Sequence, residues 1–181
     1  RITLTVPAPA ARQRLALPVW IPGSYLVREF ARHLSGLEAR QGGRQLAVEQ
    51  RDKATWAVRC SGRAALTLSY RVYANDPSVR AAFLDTQRGF FNGTSVFLRV
   101  HGQERAEHHL EIAVPDGYAH WEAATALTPL KAGRKGFGLY CARDYDDPWP
   151  MFKRGRDAQI SRFKDLAERA KKLPHHPLVD E

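Results

Sequence analysis

The chain has 181 residues, 44% of them apolar, and a formal net charge of +9. That is enough apolar material to bury a core in one domain, or in one domain with an appendage. Nothing reads as a transmembrane span or a signal peptide. The basic residues are dispersed through the chain without aromatic interleaving, which argues against a nucleic-acid interface or a membrane-binding face.

In chain order, Ile2, Leu4 and Val6 alternate with Thr3 and Thr5, the pattern of a half-buried strand. Arg14 to Trp20 predicts a second strand, running into a Pro22-Gly23 turn. The segment from Tyr25 to His33 reads as a short helical turn or as irregular chain. Leu34 to Arg40 and Leu46 to Gln50 flank a hairpin turn at Gln41-Gly42-Gly43-Arg44. Thr55 to Cys60 puts Trp56, Val58 and Cys60 on one face. Ala64 to Ala74 is the longest alternating run, with Leu66, Leu68, Tyr70 and Val72 on one side, and predicts a central strand. Asn75 to Ser78 is a turn by composition. Val79 to Arg88 stays ambiguous. Phe90 to Val100, Glu107 to Val114, Tyr118 to Ala123 and Phe137 to Ala142 read as the remaining strands, with Asn92-Gly93 as a tight turn. Trp20 and Trp56 are expected to be packing residues. The fold class that follows is mainly β: an antiparallel sandwich or saddle-like sheet domain of roughly ten strands.

After Asp147 the character changes. Pro148-Trp149-Pro150 blocks both helix and central strand. Asp157 is then a plausible N-cap, and Ile160, Phe163, Leu166, Ala167, Ala170 and Leu173 trace one helical stripe. The expected organisation is a β domain over residues 1–147 and a Pro-rich linker with an amphipathic helix over 148–181. The chain begins at Arg1, inside a strand pattern and without Met, so it reads as a fragment or a processed product.

Chemistry-bearing motifs are sparse. A zinc peptidase needs His-Glu-x-x-His on a helix, because that spacing points two imidazoles at one metal. Of His33, His101, His108, His109, His120, His175 and His176, no two sit four apart. His108 and His109 on a strand point to opposite faces. No catalytic residue, metal site or cofactor is therefore assigned within this chain, which is expected to be empty of stoichiometric zinc. Ser24 lacks the frame of a nucleophile elbow. Gly133, Gly136 and Gly138 open no nucleotide-binding helix. Cys60 and Cys141 are expected as buried free thiols, with pairing left open.

The stretch from Leu17 to His33, LPVWIPGSYLVREFARH, is distinctive in length and composition. It resembles the first domain of the glycyl aminopeptidase family, zinc peptidases with a thermolysin-like catalytic domain and often a PDZ domain. The resemblance continues in order through Asp52-Lys53, Thr55-Trp56, Tyr70 to Ala74, Ser78 to Arg80, Phe90 to Ser95 and Tyr145-Asp146. It implies an accessory N-terminal β domain, non-catalytic alone, that shapes a substrate cleft and docks a catalytic domain. The zinc would sit in that separate domain, and the whole enzyme would release N-terminal Gly or Ala. Expected partners are a catalytic domain of the same polypeptide or a peptide substrate, with the oligomeric state open. The protein is expected to be soluble, with cytoplasm and periplasm both open.

Cleft candidates are Tyr25, Arg28, Glu29, Arg80 and Asn92. In one reading Arg28 meets a peptide carboxylate and Glu29 a free α-amino group. In the other the two form an internal pair that pins an irregular segment. Two further functions stay in view: a free-standing β-sandwich module for an acidic protein or other anionic partner, and a subunit that docks through its terminal helix.

Overall fold

The computed structural model describes residues 1–21, 26–78 and 80–145. Among them thirteen strands form four antiparallel sheets, with very little helix. The first strands are β1 (Ile2–Val6), β2 (Arg12–Ala16), β3 (Leu34–Gln41), β4 (Arg44–Leu46) and β5 (Val48–Gln50). Next come β6 (Thr55–Arg59), β7 (Leu66–Val72), β8 (Ala82–Leu84) and β9 (Gly89–Phe91). A single helical turn, α1 (Gly93–Val96), precedes β10 (Arg99–Val100), β11 (His108–Ile112), β12 (Thr128–Ala132) and β13 (Gly138–Ala142).

The strand with the clearest alternation is central, as its pattern predicts. β7 lies between β1 and β3 in a sheet of order β1-β7-β3-β4. Its inward residues Leu66, Leu68 and Tyr70 are buried, and Leu4 of β1 and Ala39 of β3 oppose Leu68 on either side. A second sheet has the order β10-β2-β6-β5. One core cluster draws on both: Val6, Ala39, Leu66 and Leu68 from the first sheet, Leu15, Val58 and Val100 from the second. Because burial of apolar area is the main favourable term in folding, this shared cluster is what joins the two sheets.

The chain passes between the sheets at Ala47. Leu46 pairs with Ala39 in the first sheet, and Val48 pairs with Val58 in the second. Both Leu46 and Val48 pack on the shared core. The hairpin before this crossing is the expected one. Gln41 opposes Arg44, and Gly42 and Gly43 take φ of 54° and 80°, values open to glycine in a two-residue loop.

Several expectations are corrected. The run from Phe90 to Val100 is not one strand: Asn92 caps α1, which separates β9 from β10. Asn-Gly suits a tight turn, but Asn is equally a strong helix N-cap, and here its side chain accepts from Thr94 N–H at 3.2 Å. Tyr118 to Ala123 is turn rather than strand, with Tyr118 N–H donating to Pro115 and Trp121 N–H to Tyr118. The strand that pairs with β13 instead is β12, which contains Pro129 at a register shift. Proline is tolerated there because β12 is an edge strand. The count exceeds ten because predicted runs divide and because β8 and β12 form in segments without a predicted strand. Trp56 is buried, but Trp20 is 52% exposed, since its neighbours Leu17 and Ile21 take the core positions.

Gly136 has a structural reason: a Cβ there would lie 1.9 Å from the Ala123 carbonyl oxygen. Cys60 and Cys141 form no disulfide. The predicted linker and helix over 148–181 lie outside the described residues. No helix among the described residues is long and apolar enough to cross a membrane.

A second cluster, Leu17, Ile21, Phe30, Trp56, Tyr70, Ala81 and Leu98, gathers irregular segments around the far end of β7. Its fixed point is the Tyr70 hydroxyl, which donates to the Val96 carbonyl at 2.8 Å and accepts from Leu98 N–H at 3.3 Å. Burial pushes this phenol's pKa well up, so it stays protonated at any physiological pH. Tyr70→Phe leaves both backbone groups short of a partner. It is expected to destabilise the fold by about 1–3 kcal/mol, read as a lower urea midpoint at unchanged slope.

Candidate functional site

Irregular segments converge where the second core cluster lies. The Arg28 N–H donates to the Val19 carbonyl at 2.6 Å and brings the chain back beside β2's extension. Phe30–His33 then forms a 3₁₀ turn, anchored by buried Phe30. Tyr73 N–H donates to the His33 carbonyl at 2.9 Å, and the two rings lie 6.3 Å apart. Leu84 N–H reaches the Ala74 carbonyl at 3.1 Å, and Asn92 N–H the Ala81 carbonyl at 2.8 Å. Backbone bonds thus tie the described residues of 19–33, 73–84 and 89–97 into one region.

Charges are arranged across these segments. Asp76 accepts from Ser78 N–H at 2.9 Å. That bond and the Ser78 hydroxyl hold its carboxyl below the usual range, with smaller contributions from Arg28 and His33. Glu29 does not pair with Arg28; its carboxylate meets Lys53 Nζ at 2.9 Å, which lowers its pKa and raises that of Lys53. Both partners are exposed, so the pair orients the segment more than it stabilises it.

The sequence candidates separate accordingly. Tyr25 lies outside the described residues. Arg28 is half-buried and faces the charge of Asp76. Glu29 turns toward Lys53 on the segment before β6. Arg80 is exposed beside buried Ala81. Asn92 is occupied by its cap, accepting also from the Thr94 hydroxyl at 2.7 Å. His33 closes the Leu17–His33 stretch singled out in the sequence, whereas sequence reading missed Asp76 and Lys53 as members of this region. Asp76 sat inside a stretch that composition marked only as a turn, and its neighbours come from distant segments.

Exposed large hydrophobics are frequent on these segments. Val19, Trp20, Leu26, Val27, Tyr73, Leu84, Phe90 and Phe91 are all exposed. They comprise every exposed large hydrophobic among the described residues except Val114 and Leu130. Monomeric soluble domains seldom concentrate such side chains, and doing so marks an interaction surface. By contrast, an open depression of about 570 Å³ lined by Arg99, Gly102, Glu104, Arg105 and Asp144 is polar, and Arg99 and Glu104 within it pair at 3.0 Å.

Over residues 1–148 the sequence matches the Peptidase M61 N-terminal domain. The chain belongs to that family. This M61 N-terminal domain is also similar to a solved structure, the crystal structure of an aminopeptidase N family protein from Idiomarina loihiensis. The two are 39% identical, with a TM-score of 0.77, over 80% of this chain and 24% of that one. The M61 domain chain therefore spans about a quarter of the length of that protein. Comparison with curated proteins gives no match.

His33 gives the region a pH signature. Burial first, and Arg32 second, lower its pKa from the ordinary 6.5, against a smaller opposing pull from Asp76. The fold therefore favours the neutral ring. The stability this gives is present above about pH 6.5 and is lost as pH falls through the lowered value. His33→Gln is expected to lose less stability than wild type between about pH 7.5 and about pH 5, measured by thermal unfolding at matched ionic strength.

Proposed function

We propose that this chain is the accessory front domain of a metalloaminopeptidase, non-catalytic by itself, which docks a catalytic domain and shapes the approach to its cleft. The observation that carries the reading is the set of exposed apolar side chains Val19, Trp20, Leu26, Val27, Tyr73, Leu84, Phe90 and Phe91, in a chain that covers 24% of the solved aminopeptidase N family protein. Complete burial of one large apolar side chain contributes about 1.5–3 kcal/mol. A group of this size is adequate to hold two domains of one polypeptide together.

In this reading the domain comprises residues 1–147, residues 148–181 are a Pro-rich linker and helical tail, and the two four-stranded sheets are the layers of a sandwich. The catalytic zinc and its His-Glu-x-x-His belong to the docked domain. The activity is removal of N-terminal Gly or Ala, as the resemblance of the Leu17–His33 stretch implies. Tyr25, Arg28, Glu29, Arg80 and Asn92 are the residues of this chain nearest that role. Arg28 keeps a partner in Asp76's charge, so it is available to a peptide carboxylate only in competition with it. The alternative, a free-standing module for an acidic partner, rests on the +9 charge alone. It requires affinity that falls steeply with salt.

The test uses the intact gene product and the 181-residue chain in parallel. Phe90→Ser with Phe91→Ser removes two half-exposed rings. In the 181-residue chain the unfolding midpoint is expected to stay within about 0.5 kcal/mol of wild type. In the intact protein, kcat/KM on glycyl and alanyl anilides is expected to fall by about tenfold or more, equivalent to about 1.4 kcal/mol. Unchanged activity with the double variant, or a downstream reading frame without His-Glu-x-x-His, ends this reading.

A further inference from the structure

The third sheet, β11-β13-β12, brings three donor atoms of different chemistry to one point. β11 and β13 pair with His109 directly opposite Cys141. Opposed residues of an antiparallel pair project from the same face. Glu107 precedes His109 by two residues, the spacing that returns a side chain to that face. The ligand atoms of Glu107, His109 and Cys141 all lie within 4.8 Å of one another. His108 takes the other face: its Nδ1 lies 2.7 Å from the Ala106 carbonyl oxygen and its ring packs against Tyr145 at 6.0 Å.

The three groups already hold one another through protons. His109 Nε2 lies 2.7 Å from Glu107 Oε1, and the Cys141 side chain hydrogen-bonds the same carboxylate. Exposure is graded across the site. Cys141 is 7% exposed, whereas Glu107 and His109 have more than half of their side-chain surface open. The sulfur thus forms the floor and the other two donors the rim, with an approach from solvent.

A thiolate, an imidazole and a carboxylate together are the ligand chemistry of zinc and its borderline neighbours, not of calcium or magnesium, which take oxygen ligands. We propose that Glu107, His109 and Cys141 form a zinc-binding site that clasps β11 to β13, with water as the fourth ligand. On binding, a metal–sulfur bond replaces the Cys141 S–H bond and that proton leaves to solvent. His109 binds through Nε2 with its own proton on Nδ1. Affinity therefore rises with pH. Bound metal stabilises the folded chain, by an amount that grows with the logarithm of free metal above the dissociation constant.

Cys60 and the pair His175-His176 also offer donors. The test therefore uses the 181-residue chain carrying His175→Ala and His176→Ala, titrated with cobalt(II) and then with zinc(II). A stoichiometric thiolate-to-cobalt charge-transfer band is expected in the near ultraviolet, bleached by zinc, together with a raised thermal midpoint. His109→Ala, at a half-exposed position where the fold does not depend on the ring, is expected to weaken cobalt binding by about tenfold or more. Glu107→Gln is expected to weaken it in the same direction, and Cys141→Ala to remove the band. Absence of the band overturns the proposal. So does a band that survives Cys141→Ala, which would trace it to Cys60, or an affinity unchanged in His109→Ala.

Discussion

A single buried hydroxyl ties the regular part of this domain to its irregular part. Tyr70 belongs by its backbone to the central strand β7, and by its oxygen to the segment around α1 and β10. A buried phenol oxygen must find partners, because an unsatisfied polar atom in an apolar setting costs more than a made bond gains. The two backbone groups that satisfy it fix how Val96 and Leu98 enter the core. They also fix where the exposed rings of Phe90 and Phe91, a few residues upstream, emerge. Packing inside the sheet therefore sets the position of the surface outside it.

That surface is built economically. Its apolar side chains sit on segments that are held by backbone hydrogen bonds and by one buried anchor each: Ile21 or Phe30 on one side, Ala81 and Val96 on the other. The charges nearby are mutually engaged, Glu29 with Lys53 and Asp76 with its Ser78 turn. The ring of His33 is held toward its neutral form by burial and by Arg32. The exposed side chains on these segments offer apolar area on a backbone fixed by hydrogen bonds.

The sheet was legible in the sequence wherever one face is buried and the other wet. Ile2 to Val6, Leu66 to Val72 and the Gly42-Gly43 hairpin are found where period-two alternation and turn chemistry place them. Legibility failed where two local rules applied to the same residues. Asn92-Gly93 fits a tight turn and a helix cap alike, and only its backbone bond to Ala81 decides between them. Pro129 argues against a strand unless that strand is known to be an edge, which is a tertiary fact. Trp20 was read as core from its size, yet Leu17 and Ile21 fill the core and leave it outside. His109 and Cys141 lie far apart in the chain, so their juxtaposition depends on strand register. The block from Leu17 to His33 announced the family, but the partners of Arg28 and Glu29 come from elsewhere in the chain.

The crossing at Ala47 has a consequence for how this architecture tolerates change. One residue separates a strand registered on Ala39 from a strand registered on Val58, and both flanking side chains point into the same interior. An insertion of one residue at this corner would rotate either Leu46 or Val48 outward, because neighbouring side chains in extended chain face opposite ways. The length of the chain at this corner is therefore set by the two registers it joins, whichever residue occupies position 47.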